Sequence, residues 1–174
     1  MHSGCRSWRR GKKSMNDKTN VMRTLDQKKI AYIPRSYDPQ ITEGVSVAEV
    51  LGEDAKKVFK TLVTVSDKKA YFVFVIPVAE SLDLKKAARA VGAKSVAMLK
   101  QKELLPLTGY VHGGCSPVGM KKQFRTVIDI SAEEMDTFCV SAGRVGAQVE
   151  LDPKALAGLI HAEFCSVTAG GEEA

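Results

Sequence analysis

At 174 residues the chain is long enough for one domain to bury a core without disulfide or metal staples. Its 44% hydrophobic and 26% charged residues suit a soluble globular protein, and no apolar run reaches the ~20 residues a bilayer-spanning helix needs. The net charge is +6, but Arg6, Arg9, Arg10, Lys12 and Lys13 supply five of those charges. The remainder carries only about +1, a small surplus for contacts to nucleic-acid phosphates.

Residues 1–14 read as a disordered basic extension without the apolar segment of a secretory signal, and residues 15–170 as the folded domain. Met15, followed by Asn16 and Asp17 as a helix cap, is the expected natural start. Cys5, Cys115, Cys139 and Cys165 form no C-x-x-C pair, so free thiols in a reducing cytoplasm are expected. These cysteines and three histidines give no tetrahedral spacing, so no metal is expected.

Val21, Met22 and Leu25 form the apolar stripe of a helix over residues 18–29. Residues 30–37 (IAYIPRSY) read as extended, and Pro34 restricts them to a sheet edge. Ser46 with Glu49 has the form of a capping box before a short helix stopped by Gly52. Residues 58–77 predict two strands around an SDKK turn. The second, Tyr71 to Ile76, is apolar on both faces and therefore central. In the first strand Phe59, Thr61 and Val63 share one face, and Lys60, Leu62 and Thr64 the other.

Asp83 caps a helix with the stripe Leu84, Ala87, Ala88 and Val91, ended by Gly92. A short apolar piece at 95–99 and a helical turn or two before Pro106 follow. Next come a strand at 126–130, a second capping box at Ser131 and Glu134, and a strand pair at 137–141 and 147–151. Asp152 and Pro153 start the last helix. Hairpins mixed with helices, without repeat or linker, predict a single α/β (α+β) domain around a mixed sheet.

The stretch 109-GYVHGGCSPVGMKK-122 holds four glycines, and its chemistry is open to three readings. A phosphate loop of the G-x-x-x-x-G-K-[ST] kind fails, because Met120 takes the lysine position and no hydroxyl follows. A reactive thiol at Cys115 would need a base, and His112 three residues away does not establish one. A backbone cradle remains, in which Gly113 and Gly114 let the main chain approach a carbonyl or phosphate closely; a plain turn is its bland counterpart. Lys60, in the middle of an apolar strand, either snorkels to the edge or points into a site. Tyr37 is equally ambiguous.

Taken in order, 37-YD-38, 59-FKTLV-63, 77-PVAESLDLKKAARAVGAK-94, 108-TGYVHGGCSPVGMKK-122 and 140-VSAGRVGAQVEL-151 resemble the YbaK/EbsC-type Cys-tRNA(Pro) deacylases. That family is related to the editing domain of bacterial prolyl-tRNA synthetases. The resemblance covers about 150 residues and implies a mixed, partly barrel-like β-sheet wrapped by helices. It implies hydrolysis of mischarged Cys-tRNA(Pro), and of Cys-tRNA(Cys) as a further substrate, with no cofactor. The implied partners are a tRNA 3′ end carrying cysteine and prolyl-tRNA synthetase.

By the same resemblance Lys60 is the essential lysine and Tyr37 a pocket tyrosine. Gly113, Gly114, Ser116 and Pro117 form the loop around the aminoacyl ester, and Cys115 is a pocket filler. Gln148 stands where the family often carries an aspartate, and Ala142 replaces a hairpin glycine. The family chemistry uses the substrate's own thiol as nucleophile, with Gly113–Ser116 N–H groups as candidate oxyanion donors. A deacylase of other specificity, such as Ala-tRNA(Pro), and a non-catalytic module binding tRNA 3′ ends remain the alternative expectations.

Overall fold

The computed structural model describes residues 18–41 and 44–170. The readings for residues 1–14, for Met15 and for the Asn16–Asp17 cap lie outside them. The first described helix, α1 (Asn20–Gln27), is capped by Thr19, whose hydroxyl accepts from the Met22 N–H at 3.2 Å. Its Val21, Met22 and Leu25 are buried as the stripe required.

Strand β1 (Tyr32–Ser36) runs at the edge of a three-stranded antiparallel sheet with β7 (Ala147–Leu151) in the middle and β6 (Phe138–Ser141) beyond. Pro34 costs little at an edge, since its missing N–H has no inner neighbour to serve. Tyr32 pairs with Leu151 and Ser36 with Ala147. A second, five-stranded sheet has the order β4 (Val96–Met98), β2 (Phe59–Ser66), β3 (Tyr71–Pro77), β5 (Arg125–Asp129) and β8 (Glu163–Cys165). It is mixed: β3 pairs antiparallel with β2 but parallel with β5, and β5 parallel with β8. The apolar β3 lies at its centre, buried from Val73 to Pro77.

The two sheets meet where β2 begins. Val58 and Cys139 form a parallel bridge, the Cys139 N–H donates to the Lys57 carbonyl at 2.8 Å, and Phe59 packs edge-on against Phe138 at 4.9 Å between ring centroids. A core of Leu25, Phe59, Ile128, Phe138, Val149 and Leu156 fills the angle between them, the partly barrel-like arrangement expected. Helices α2 (Gly44–Leu51), α3 (Leu84–Val91), α4 (Gln101–Thr108) and α5 (Pro153–Ile160) cover the sheets. Among the described residues no helix is long and apolar enough to cross a membrane.

Three expectations need correction. Helix α2 starts at Gly44, so Ser46 lies in its first turn and is not a cap. Helix α4 continues through Pro106 to Thr108. A helix this short loses only the bond that the absent N–H would have made, and Gly109 then ends it in the left-handed region. Ser131 lies inside a 3₁₀ turn (Ile130–Ala132) whose cap is Asp129. That carboxylate accepts from the Ser131 N–H at 3.2 Å and hydroxyl at 2.6 Å, and from the Val167 N–H at 3.1 Å.

Candidate active site

A cavity of about 370 Å³ opens where the start of β2, the end of β1, the β6–β7 hairpin and the glycine-rich loop converge. Five of the residues singled out from the sequence line it: Tyr37, Lys60, Gly113, Cys115 and Gln148. Tyr37 is fixed just past β1 by its N–H, which donates to the Gly146 carbonyl at 2.9 Å. Lys60 is the second residue of β2, opposite Ile76. Gln148 sits on β7 between Arg35 and Ser141.

Gly114, Ser116 and Pro117, also expected in the loop around the ester, are buried and not on the cavity surface. The Gly114 N–H is spent on the Val111 carbonyl at 3.0 Å, so it is not a free oxyanion donor. The Ser116 hydroxyl accepts from the Val118 N–H at 3.2 Å. These residues brace the loop from behind. A Cβ on Gly114 would meet the backbone of Arg144 and Val145 at 2.9–3.0 Å, so the loop rests directly on the β6–β7 turn. The N–H groups of Gly113 and Cys115, on the cavity wall, have no acceptor among the described residues and remain available as donors. Gly113, at φ +87, turns the chain where an L side chain would be strained.

Sequence reasoning missed several lining residues: Val47, Thr61, Leu104, Ser141 and, as a cavity group, His112. Thr61 and Ser141 had a visible signal, as polar residues beside Lys60 and at the start of the S-A-G turn. Val47 and Leu104 had none, because apolar positions on short helices read as core. The Oγ1 of Thr61 and the Oε1 of Gln148 are buried without a hydrogen-bond partner. Leaving such an oxygen unpaired costs roughly 1–3 kcal/mol, which a ligand donor entering the cavity would recover.

Burial pulls the Lys60 ammonium below the ordinary lysine value, while the Glu80 carboxylate acts in the opposite direction. Lys60 has no ion-pair partner among the described residues, which leaves its three donors for a ligand. Cys115 is a different kind of group. Burial pushes its thiol up to about 12, with Thr108 as its hydrogen-bond neighbour, so it is neutral at physiological pH and a poor nucleophile. Among the described residues, neither His112 nor a carboxylate hydrogen-bonds to Thr61, Ser141 or Cys115. Among the described residues, the cavity has positioned donors but no activated nucleophile.

Glu53, Cys139 and Glu150 bring potential metal-ligand atoms within 4.8 Å of one another. That corner is occupied by Arg35, whose guanidinium bridges Glu53 at 3.0 Å and grips Glu150 through two nitrogens, while Thr137 donates to Glu150 at 2.7 Å. Burial also lifts the Cys139 thiol to about 12. The cluster is a charge-paired brace behind the cavity, tying β1 to β7 and to the chain after α2.

The family model of the aminoacyl-tRNA editing domain matches residues 38–159. Over 161 residues, 90% of this chain and 97% of the relative, the sequence is 45% identical to the "Putative Cys-tRNA(Pro)/Cys-tRNA(Cys) deacylase EbsC" of Enterococcus faecalis. A 74-residue stretch, 42% of this chain, is 36% identical to a proline–tRNA ligase of Shouchella clausii, of which it covers 13%. Among solved structures, the fold is shared with a hypothetical protein at TM-score 0.80 and 21% identity, covering 86% of this chain and 99% of that one. It is also shared with a "putative trans-editing enzyme for prolyl tRNA synthetase" at TM-score 0.76 and 22% identity, covering 88% and 100%. The chain belongs to the aminoacyl-tRNA editing domain family.

Proposed function

We propose that this protein removes cysteine mischarged onto tRNA(Pro), cleaving the ester at the tRNA 3′ end with the substrate's own thiol as nucleophile. The observation that carries this reading is a cavity with free N–H donors and an unpaired lysine but no activated nucleophile of its own. A cysteinyl ester brings the missing group. Its thiolate attacks the ester carbonyl, the C–S bond forms and the C–O bond to the ribose breaks. The thiol's proton ends on the departing tRNA hydroxyl, and water opens the resulting cyclic thioester to free cysteine. Orientation supplies most of the acceleration, because thiol and carbonyl already belong to one molecule.

In this scheme the N–H groups of Gly113 and Cys115 stabilise the oxyanion as it develops. Lys60 holds the terminal adenosine through its phosphate or hydroxyls. Tyr37 flanks the aminoacyl group. The unpaired oxygens of Gln148 and Thr61 accept from its ammonium, which carries three donors and no acceptor. Cys115 fills the pocket as a small hydrophobe.

The test is deacylation of Cys-tRNA(Pro), Cys-tRNA(Cys), Ala-tRNA(Pro) and S-methylcysteinyl-tRNA(Pro). The proposal expects turnover of the free-thiol esters alone; equal rates for alanine refute it. Since the body carries only about +1 of charge, isolated protein binds tRNA weakly and without discrimination, and tRNA(Pro) is selected in a complex with prolyl-tRNA synthetase. Nanomolar, tRNA(Pro)-selective binding by the isolated protein contradicts that part.

A further inference from the structure

We propose that Glu80, seated on the C-terminal segment at Gly170, is a positioning residue that holds the Lys60 ammonium over the cavity. The inference deepens the proposed function and rests on its assignment of Lys60 to the site. The geometry starts from strand alternation. Lys60 and Leu62 share a face of β2, and their cross-strand partners Ile76 and Phe74 share it too. Leu62, Phe74, Ile76, Leu82 and Val167 form one apolar cluster, so Lys60 leaves the sheet where that cluster ends and the cavity begins.

The chain after β3 folds back over the same end. The Val78 N–H donates to the Val58 carbonyl at 2.8 Å, and the Glu80 N–H closes a turn on the Pro77 carbonyl at 3.0 Å. Residues 81–83 are then zipped to the C-terminal segment. Asp83 donates to Val167 and Ala169 to Ser81, each at 2.8 Å, with Leu82 bridged to Thr168. This ladder delivers Gly170 to Glu80. A Cβ on Gly170 would stand 2.6 Å from the Glu80 Oε2, so the carboxylate occupies the space a side chain would take.

Glu80 and Lys60 do not form a contact ion pair, so the ammonium is attracted without being captured. The other titratable groups lining the cavity are Tyr37, His112 and Cys115, none of them a carboxylate, while α2 and α4 contribute Val47 and Leu104. Among the described residues, Glu80 is the carboxylate that favours the charged form of Lys60.

The experiment follows Lys60 by ¹³C NMR after reductive ¹³C-dimethylation of the full chain, with Lys60→Arg assigning its resonance. Glu80→Gln should move the Lys60 titration to lower pH, and Gly170→Ala, which displaces the carboxylate, should move it the same way. Glu163→Gln, a remote carboxylate control, should leave it in place. The alkaline limb of kcat/KM for Cys-tRNA(Pro) should follow the NMR shift in Glu80→Gln, with Glu80→Asp restoring part of it. An unmoved Lys60 titration in Glu80→Gln overturns the proposal, as does a moved titration with an unmoved limb. The NMR shift needs no turnover, so a protein inactive on Cys-tRNA(Pro) would refute the proposed function while the Glu80–Lys60 coupling was still measured.

Discussion

Gly114→Ala separates space from backbone strain in the candidate loop. The backbone conformation at Gly114 is open to any residue, and only room is lacking. Its Cβ would meet Val145 N at 2.9 Å and the Cα and carbonyl carbon of Arg144 at 3.0 Å, all main-chain atoms that cannot swing aside. Either the loop or the β6–β7 turn must give by several tenths of an ångström. Overpacking of this kind costs about 1–3 kcal/mol. For a chain of this size that corresponds to a drop of roughly 2–12 °C in melting temperature. The same shift moves the free N–H groups of Gly113 and Cys115, so kcat should fall by at least about tenfold. Gly113→Ala is the contrast. It meets only the Val145 Cγ2 at 3.5 Å, an ordinary contact, but stands at φ +87 and should cost about 1–2 kcal/mol through strain alone. Differential scanning fluorimetry and single-turnover deacylation measure both. A Gly114→Ala protein that melts within about 1 °C of the parent and keeps its kcat refutes the close-packing reasoning.

Lys60→Met should abolish deacylation yet stabilise the fold at neutral pH, because a half-buried unpaired ammonium is removed. The folded-state pKa of Lys60 lies below its unfolded value of 10.5, so its penalty is full below the folded pKa and relieved as pH rises toward 10.5. Urea denaturation of both proteins from pH 7 upward should show the stability gap closing. Arg35→Met should cost roughly 2–3 kcal/mol by leaving Glu53 and Glu150 facing each other unpaired. Thr137 and Arg35 hold the Glu150 carboxyl below 4.5, so the stability it contributes is present above that pH and lost as pH falls through the folded value. The acid slope should flatten in the variant. Cys115→Ala should keep the wild-type deacylation rate and lose about 1 kcal/mol of stability. Among the described cysteines, maleimide should label the partly exposed Cys165 before Cys115 or Cys139; loss of activity in Cys115→Ala would return the thiol to the mechanism.

The elements most legible in the sequence were those with a local cause. Asp83 and Asp152 announced their helices because a carboxylate accepting from the next turn's N–H groups is a property of a few adjacent residues. Strand β3 announced its central place because both faces are apolar. Ser46 and Ser131 misled because a capping box only permits a helix start, and the chain began α2 three residues before the start that a Ser46 cap implies and chose Asp129 for the other turn. Strand β8 is three residues long and exists through its parallel pairing with β5, a non-local cause that no local pattern carries. The site divided in the same way. Lys60 stood out as a charge among apolar neighbours, whereas Gly114 as a brace, and Val47 and Leu104 as walls, became visible only once the hairpin and α4 were in place. The division into two sheets was also hidden, since only the Val58–Cys139 bridge and the packing of Phe59 on Phe138 reveal where one ends.

The pairing of β1 with β7 joins Tyr32 to Leu151 across more than a hundred residues. On a ribosome adding about 5–20 residues per second, β1 therefore emerges roughly 6–24 s before its partner exists. Throughout that interval the segment carrying Tyr37 is an edge without a sheet, and Pro34 and Arg35 keep it from finding another. The wall of the candidate cavity closes only when β7 brings Gln148. A nascent chain arrested before residue 147 therefore carries Lys60 and the glycine-rich loop without the β7 wall beside them.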